Sequence, residues 1–188
     1  MISSMTTPSQ SILKKGFSLA TRAFTTSTAT SVPPPLKKTH LYSYHKDIFK
    51  AKMVPFAGYE MPVLYSEGII KEHLHTRENA GIFDVSHMGQ VKIVGKDAQD
   101  FLERLTVADV KALGKGQATL SLLMNEMGGI KDDCIITKVS EDSFFVVLNA
   151  GCKEKDLDHI HEIRNSFEWK EKDITIVYDE DENSLIAV

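Results

Sequence analysis

Two runs in the middle of the chain alternate apolar and polar residues around a glycine-containing turn. "ATLSLLM", from Ala118, and "KDDCIITKV", from Lys131, flank Asn125 to Gly129. Alternation with a period of two on both sides of such a turn predicts an antiparallel hairpin. "SFFVVLN", from Ser143, supplies a third strand, and "IFDVSHMGQVKIVG" is strand material in which Gln90, Lys92 and Val94 oppose Val91 and Ile93. "DITIVYD" and "SLIAV" are two more. Between them the period lengthens to that of a helix. Asp97 to Leu105 places Phe101, Leu102 and Leu105 on one side, and Gly151 to Phe167 places Leu157, Ile160, Ile163 and Phe167 on one stripe. Ser66 is a candidate cap for a helix from about Glu67 to Asn79, stopped at Gly81. Residues 36–65 hold only short extended pieces broken by Pro55, Gly58 and Pro62. The order strand, helix, hairpin, strand, helix, strand predicts an α+β fold. Its expected form is a ferredoxin-like antiparallel sheet with helices on one face.

The predicted hairpin contains an anomaly, because Asp132 and Asp133 open its second strand rather than sit in the turn. Side chains alternate, so Asp133 shares a face with Ile135, Thr137 and Val139, and Asp132 shares the other with Cys134 and Ile136. One reading has both acids solubilising the strand start or accepting turn N–H groups. The other has one carboxylate facing inward, kept there for a ligand with donors or developing positive charge. Periodicity alone leaves both open.

Composition narrows the classes without naming an activity. The 188 residues are 42% hydrophobic and 26% charged, with a formal charge of -4. No acid precedes Asp47, whereas Lys14, Lys15 and Arg22 lie near the start, so the body is more acidic than the total. An acidic body argues against nucleic acid as a partner. No apolar run reaches the ~20 residues that span a bilayer, so no membrane partner is expected. Cys134 and Cys152 form no CxxC pair and read as reduced thiols.

Residues 1–31 are rich in Ser and Thr and free of acid, and Leu13, Phe17, Ala20 and Phe24 share one helical face away from the cations. That is the composition of an organellar transit peptide, with cleavage expected near Arg22 to Phe24 and again near Ser31. Pro33 to Pro35 mark the boundary, and residues 32–188 are read as the folded part. Within it there is no glycine-rich phosphate loop. His73 with His75 and His159 with His161 are two apart on predicted helices, the wrong spacing for a shared metal, so surface or capping roles are expected. Ser86 and His87 fall on alternate strand faces, which disfavours a nucleophile and base pair.

Four segments in order, "KMVPFAGYEMPVLY", "HTRENAGIFDVSHMGQ", "NEMGGIKDD" and "NAGCKEKDLDHI", resemble the T-protein family of the glycine cleavage system, the mitochondrial aminomethyltransferases. The resemblance implies the N-terminal, C-terminally truncated part of a folate-binding domain in the mitochondrial matrix. It implies transfer of the one-carbon unit from the aminomethyl-lipoyl H-protein to tetrahydrofolate, with release of ammonia. The implied partners are lipoylated H-protein and tetrahydrofolate as co-substrate, with no metal. By the same resemblance Asp133 is the catalytic acid, facing the folate pocket. Met88, Leu120, Ile135, Val147 and Asn149 are implied contacts of that pocket.

Two positions depart from the family pattern: Phe145 stands where relatives often carry Tyr, and Lys131 where they are commonly apolar. The family also implies a longer C-terminal half, without which the chain alone is expected to bind folate weakly and be inactive. Competing readings are a noncatalytic folate-binding module of the iron–sulfur assembly type, the folate domain of a sarcosine or dimethylglycine dehydrogenase, and an inactive truncated product. The paired acids with "NAGCKEKD" weigh against the first, and a leader in place of a flavin domain weighs against the second.

Overall fold

The hairpin sits at one side of a five-stranded antiparallel sheet in a computed structural model that describes residues 34–179 and 182–188. The predicted leader, residues 1–31, lies outside the described residues. From Pro35 onward the chain forms one compact unit. It begins with a π-helical turn, Tyr44–Ile48, and a small hairpin of β1 (Lys52–Phe56) and β2 (Tyr59–Leu64). Helix α1 (Ile69–Glu78), β3 (Phe83–Asp84), β4 (Gly89–Val94) and α2 (Ala98–Leu105) follow. Then come β5 (Ala118–Met124), β6 (Ile130–Ser140), β7 (Ser143–Leu148), α3 (Lys153–Arg164), β8 (Thr175–Tyr178) and β9 (Ile186–Ala187).

The main sheet has the order β5-β6-β7-β4-β8, while β3 and β9 pair in a separate ribbon. With β5 set aside as an added edge strand, β4-α2-β6-β7-α3-β8 is a βαββαβ unit with the ferredoxin-like order. The α+β expectation therefore holds.

One face of this sheet is the core. Val91, Ile93, Leu123, Ile136, Phe144, Val146 and Leu148 point from it toward α2 and α3. From α2, Ala98, Phe101, Leu102 and Leu105 answer at helical spacing; from α3, Leu157 and Ile160 do so. Phe101 meets Trp169 edge-on at 5.4 Å between ring centroids, a geometry that adds to simple burial. The expected stripe of α3 is shorter than the sequence period suggests. Phe167 lies beyond the end of the helix and is 89% exposed, and Trp169 fills the core there instead. Helix α1 starts later than expected, with Gly68 rather than Ser66 at its N-cap and Asn79 rather than Gly81 at its end.

Two turns explain the register. Gly128 has φ 78° in the β5–β6 turn, a conformation that costs glycine little. There Asn125 Oδ1 accepts from the N–H groups of Met127 and Gly129. Gly95 has φ 137°, and a Cβ there would fall 1.9 Å from the carbonyl oxygen of Asp173. That contact carries the chain from β4 into α2 directly against the start of β8.

Candidate functional site

The opposite face of the sheet is open. The strand register puts Leu122 beside Asp133, Leu120 beside Ile135, Ile135 beside Val147, and Val147 beside Gln90. Leu120 is 68% exposed and Ile135, Val139 and Val177 are exposed too. Exposed apolar side chains grouped on one sheet face make it a candidate contact surface. Of the residues the sequence singled out, Asp133, Leu120, Ile135 and Val147 lie on this one face. Asn149 lies one position past the end of β7 and Met88 one position before β4, so both extend the row that contains Asp133. The tertiary structure thus brings all six to one side of one sheet.

At that end Asn149 ties the two acids together. Its Nδ2 group donates to Asp133 Oδ1 at 2.8 Å and to Asp132 Oδ1 at 3.0 Å. The N–H of Asp133 also donates to Asp132 Oδ1, at 2.9 Å. The alternation read from the sequence is what separates their surroundings: Asp133 is exposed on the open face, and Asp132 turns toward α3. Burial works to raise the Asp132 carboxyl, but hydrogen bonds from Cys152, Asn149 and the Asp133 N–H outweigh it and hold Asp132 below the usual range. The inward acid is therefore Asp132, and the acid on the open face is Asp133.

The remainder of the open face ends in a hollow of about 290 Å³ bordered by Gln90, Lys92, Phe145, Val177 and Asp179. Phe145, one of the departures noted above, lines this hollow. Lys131, the other, does not reach toward it: its Nζ donates to His159 Nδ1 at 3.2 Å. His159 Nε2–H in turn donates to the Met124 carbonyl at 2.9 Å. His159 is thus a buried tether between α3 and the hairpin, which corrects the expectation of a surface or capping role. Burial, with the Lys131 charge nearby, lowers its pKa and keeps it neutral in this contact.

A larger cleft of about 900 Å³ lies elsewhere, between α1 and the β2–β3 segments. On its wall is a chain of polar contacts that sequence reasoning missed. Asp84 Oδ2 accepts from Thr39 Oγ1 at 2.7 Å and from His45 Nε2 at 3.0 Å, and Tyr65 OH lies 2.8 Å from His45 Nδ1. Asp84 Oδ1 accepts from both the N–H and the hydroxyl of Ser86. An Asp two residues before a Ser in a turn is an Asx-turn signature, the one signal in the sequence that points here. Burial raises the Asp84 carboxyl, and these donors more than offset it, so its pKa is lowered. Every donor is spoken for, which makes the cluster a brace for the N-terminal segments. Ser86 and His87 sit in the turn before β4 rather than on a strand. His87 lies edge-on to Phe56 at 5.5 Å, so the two do not form a catalytic pair.

Comparison with known proteins bears on the open face. The family described as the GCVT N-terminal domain matches residues 41–188. The chain belongs to the GCVT N-terminal domain family. It is 56% identical over 127 residues to the mitochondrial aminomethyltransferase of Dictyostelium discoideum, covering 68% of this chain and 31% of that protein. To the mitochondrial aminomethyltransferase of Pisum sativum it is 47% identical over 153 residues, covering 81% of this chain and 37% of that protein. Among solved structures, the glycine cleavage system aminomethyltransferase T from Bartonella henselae superposes with a TM-score of 0.69 and 38% identity. That match covers 77% of this chain and 38% of the other. The chain spans about a third of the length of the curated relatives it matches.

Proposed function

We propose that this chain carries the folate-facing N-terminal part of a glycine cleavage aminomethyltransferase. Its relatives are named mitochondrial aminomethyltransferases, and the reading places this chain in the matrix, with residues 1–31 as its transit peptide. The reaction is passage of the one-carbon unit from the aminomethyl-lipoyl arm of H-protein to tetrahydrofolate, with release of ammonia. The observation that supports it best is the position of Asp133. It is an anionic group at the end of an open apolar face, held by Asn149, in a chain whose relatives carry out aminomethyl transfer.

The chemistry suits that arrangement. Carbon–nitrogen transfer passes through cationic, iminium-like character, and a carboxylate already oriented at that point lowers the barrier without forming a bond. The Asn149 amide fixes one carboxylate oxygen, so little reorganisation is needed as charge develops. Leu120 and Ile135 offer apolar surface to a flat ring, with the buried Val147 beside them, and Met88 borders the same end as the acid. Holding two substrates side by side on this face supplies a further part of the rate. No step in this scheme requires a metal.

The decisive experiment uses an enzyme of the relatives' full length that carries this segment. Asp133→Asn keeps the shape and removes the charge. Transfer from aminomethylated H-protein should fall by about 10²–10³-fold in kcat, the usual loss for one charge-stabilising group. Tetrahydrofolate affinity and the melting temperature should change little. Undiminished turnover would remove Asp133 from the role.

A further inference from the structure

A third carboxyl lies behind the bridged pair. Asp156, in the first turn of α3, is 0% exposed. No donor from an amide, hydroxyl or ammonium group comes within hydrogen-bond range of either of its oxygens or of Asp132 Oδ2. These oxygens lie together, for a single ammonium nitrogen, Lys155 Nζ, is within 4 Å of both Asp156 Oδ1 and Asp132 Oδ2. Two carboxyl groups in contact cannot both be ionised at ordinary cost, and one proton between them resolves the conflict.

One cation borders the pair, but at ion-pair distance and without a hydrogen bond to either carboxyl. From α3, Lys155 Nζ stands 3.6 Å from Asp156 Oδ1 and 3.9 Å from Asp132 Oδ2, and spends its short hydrogen bond, 2.7 Å, on the Lys131 carbonyl. Cys152, also at the start of α3, is bonded to Asp132, and that bond raises its pKa. From β6, the buried Cys134 lies on the same side of the sheet as the pair, and Asp133 on the other side. Burial, then the Asp133 and Asp156 charges, push the Cys134 thiol up to about 12, so it adds no charge. Asn149, past the end of β7, is the neutral member.

We propose that Asp156 is a positioning residue for the transfer reaction: its carboxyl O–H donates to Asp132 Oδ2, and the proton-bridged pair fixes Asn149 against Asp133. The proton stays on oxygen throughout and no bond to substrate is made. Orientation passes from Asp156 to Asp132 Oδ2, across that carboxylate to Oδ1, and from Oδ1 through Asn149 Nδ2 to Asp133 Oδ1. Burial and the Asp132 charge push Asp156 up to about 6, in the direction the bridge requires.

This inference rests on the transferase reading, so its test separates the two. The enzyme is again one of the relatives' full length. Asp156→Leu should lower kcat about tenfold, the worth of a lost buried hydrogen bond, with KM for tetrahydrofolate within about twofold. Asp156→Asn keeps a donor for Asp132 Oδ2 and should recover most of that loss. It should also remove any decline in kcat that the wild type shows as pH rises above about 6. Leu and Asn variants impaired equally at wild-type melting temperature would overturn the proposal. So would a pH profile unaltered by the Asn variant.

Carboxyl carbon NMR of the wild-type enzyme gives the answer should Asp156→Leu not fold. One aspartate should keep its proton above about pH 5, coupled to a partner that ionises early. Aspartates that all ionise at ordinary values would overturn the bridge. Asp133→Asn is assayed in parallel. If that variant is active, the transferase role of Asp133 fails. If it is inactive while the Asp156 variants behave alike, only the positioning role fails.

Discussion

The two faces of the five-stranded sheet come from the same strands, residue by alternate residue, yet have opposite characters. The covered face holds Val91, Ile93, Ile136, Phe144 and Val146, all fully buried against α2 and α3. The open face holds Leu120, Ile135, Val139 and Val177, as apolar in type but exposed. Hydrophobicity therefore does not distinguish them; cover does. A sheet with apolar residues on both faces and helices on only one buries one set and leaves the other exposed. Asp132 and Asp133, adjacent in sequence, fall on the two sides of this division.

Phe101→Ala tests the covered face and should have the largest effect on folding. The side chain is wholly buried and meets Trp169, so its loss should cost about 3–5 kcal/mol, measured by urea denaturation with circular dichroism. A loss below about 1 kcal/mol would mean that α2 is not docked as described.

Asp156→Asn probes the boundary between the faces through pH. The folded carboxyl is raised to about 6, first by burial and then by the Asp132 charge. Its favourable contribution is therefore complete below the unfolded value of 3.8 and is lost as pH rises through about 6. Replacing the acid by an amide removes that loss. The melting temperature of the variant should gain on the wild type between about pH 4 and pH 6, by on the order of 5 °C. Parallel melting curves for the two proteins across that range would contradict the buried titration.

The counterpart on the open face is Leu120→Ala. With most of its surface in water, Leu120 should contribute under about 1 kcal/mol to stability. In an enzyme of the relatives' length carrying this segment, the proposed role has the same change raise KM for tetrahydrofolate by about tenfold or less, as expected for a few methylene groups. A large loss of stability without a change in KM would make Leu120 a structural residue. That result would erase the contrast with Phe101.

The smallest effect is expected well away from both faces, at the β1–β2 turn. Ala57 and Gly58 have φ of 46° and 83°, the positive pair of a two-residue hairpin turn in which asparagine is favoured first. Ala57→Asn should raise stability by roughly 0.5 kcal/mol, read as a small rise in the denaturation midpoint.

How much of this was legible in one dimension can be followed residue by residue. The hairpin of β5 and β6 was, because Asn125 to Gly129 has local turn chemistry and the flanking period is two. So was α2, whose apolar stripe is confined to one turn-to-turn spacing. The end of α3 was not, since Phe167 keeps the helical period and only packing shows that Trp169 takes the core position. His159 and Asp84 were equally hidden. A buried polar side chain is tolerated only where distant partners satisfy it, and those partners, Met124 for one and Thr39 with His45 for the other, are far away in sequence.

Local periodicity by itself determined that Asp132 and Asp133 point opposite ways, because the pleat forces alternation whatever surrounds the strand. It also determined that helices and an antiparallel sheet would share one core, since each element has an apolar face that must be buried. Which face of the sheet received the helices was decided only by the tertiary structure. Both faces are apolar, and the order in which β4, β6, β7 and β8 assemble selects between them. That choice turned Asp132 toward Asp156 and left Asp133 facing outward, a distinction that depends on contacts across the fold and has no trace in the spacing of residues along the chain.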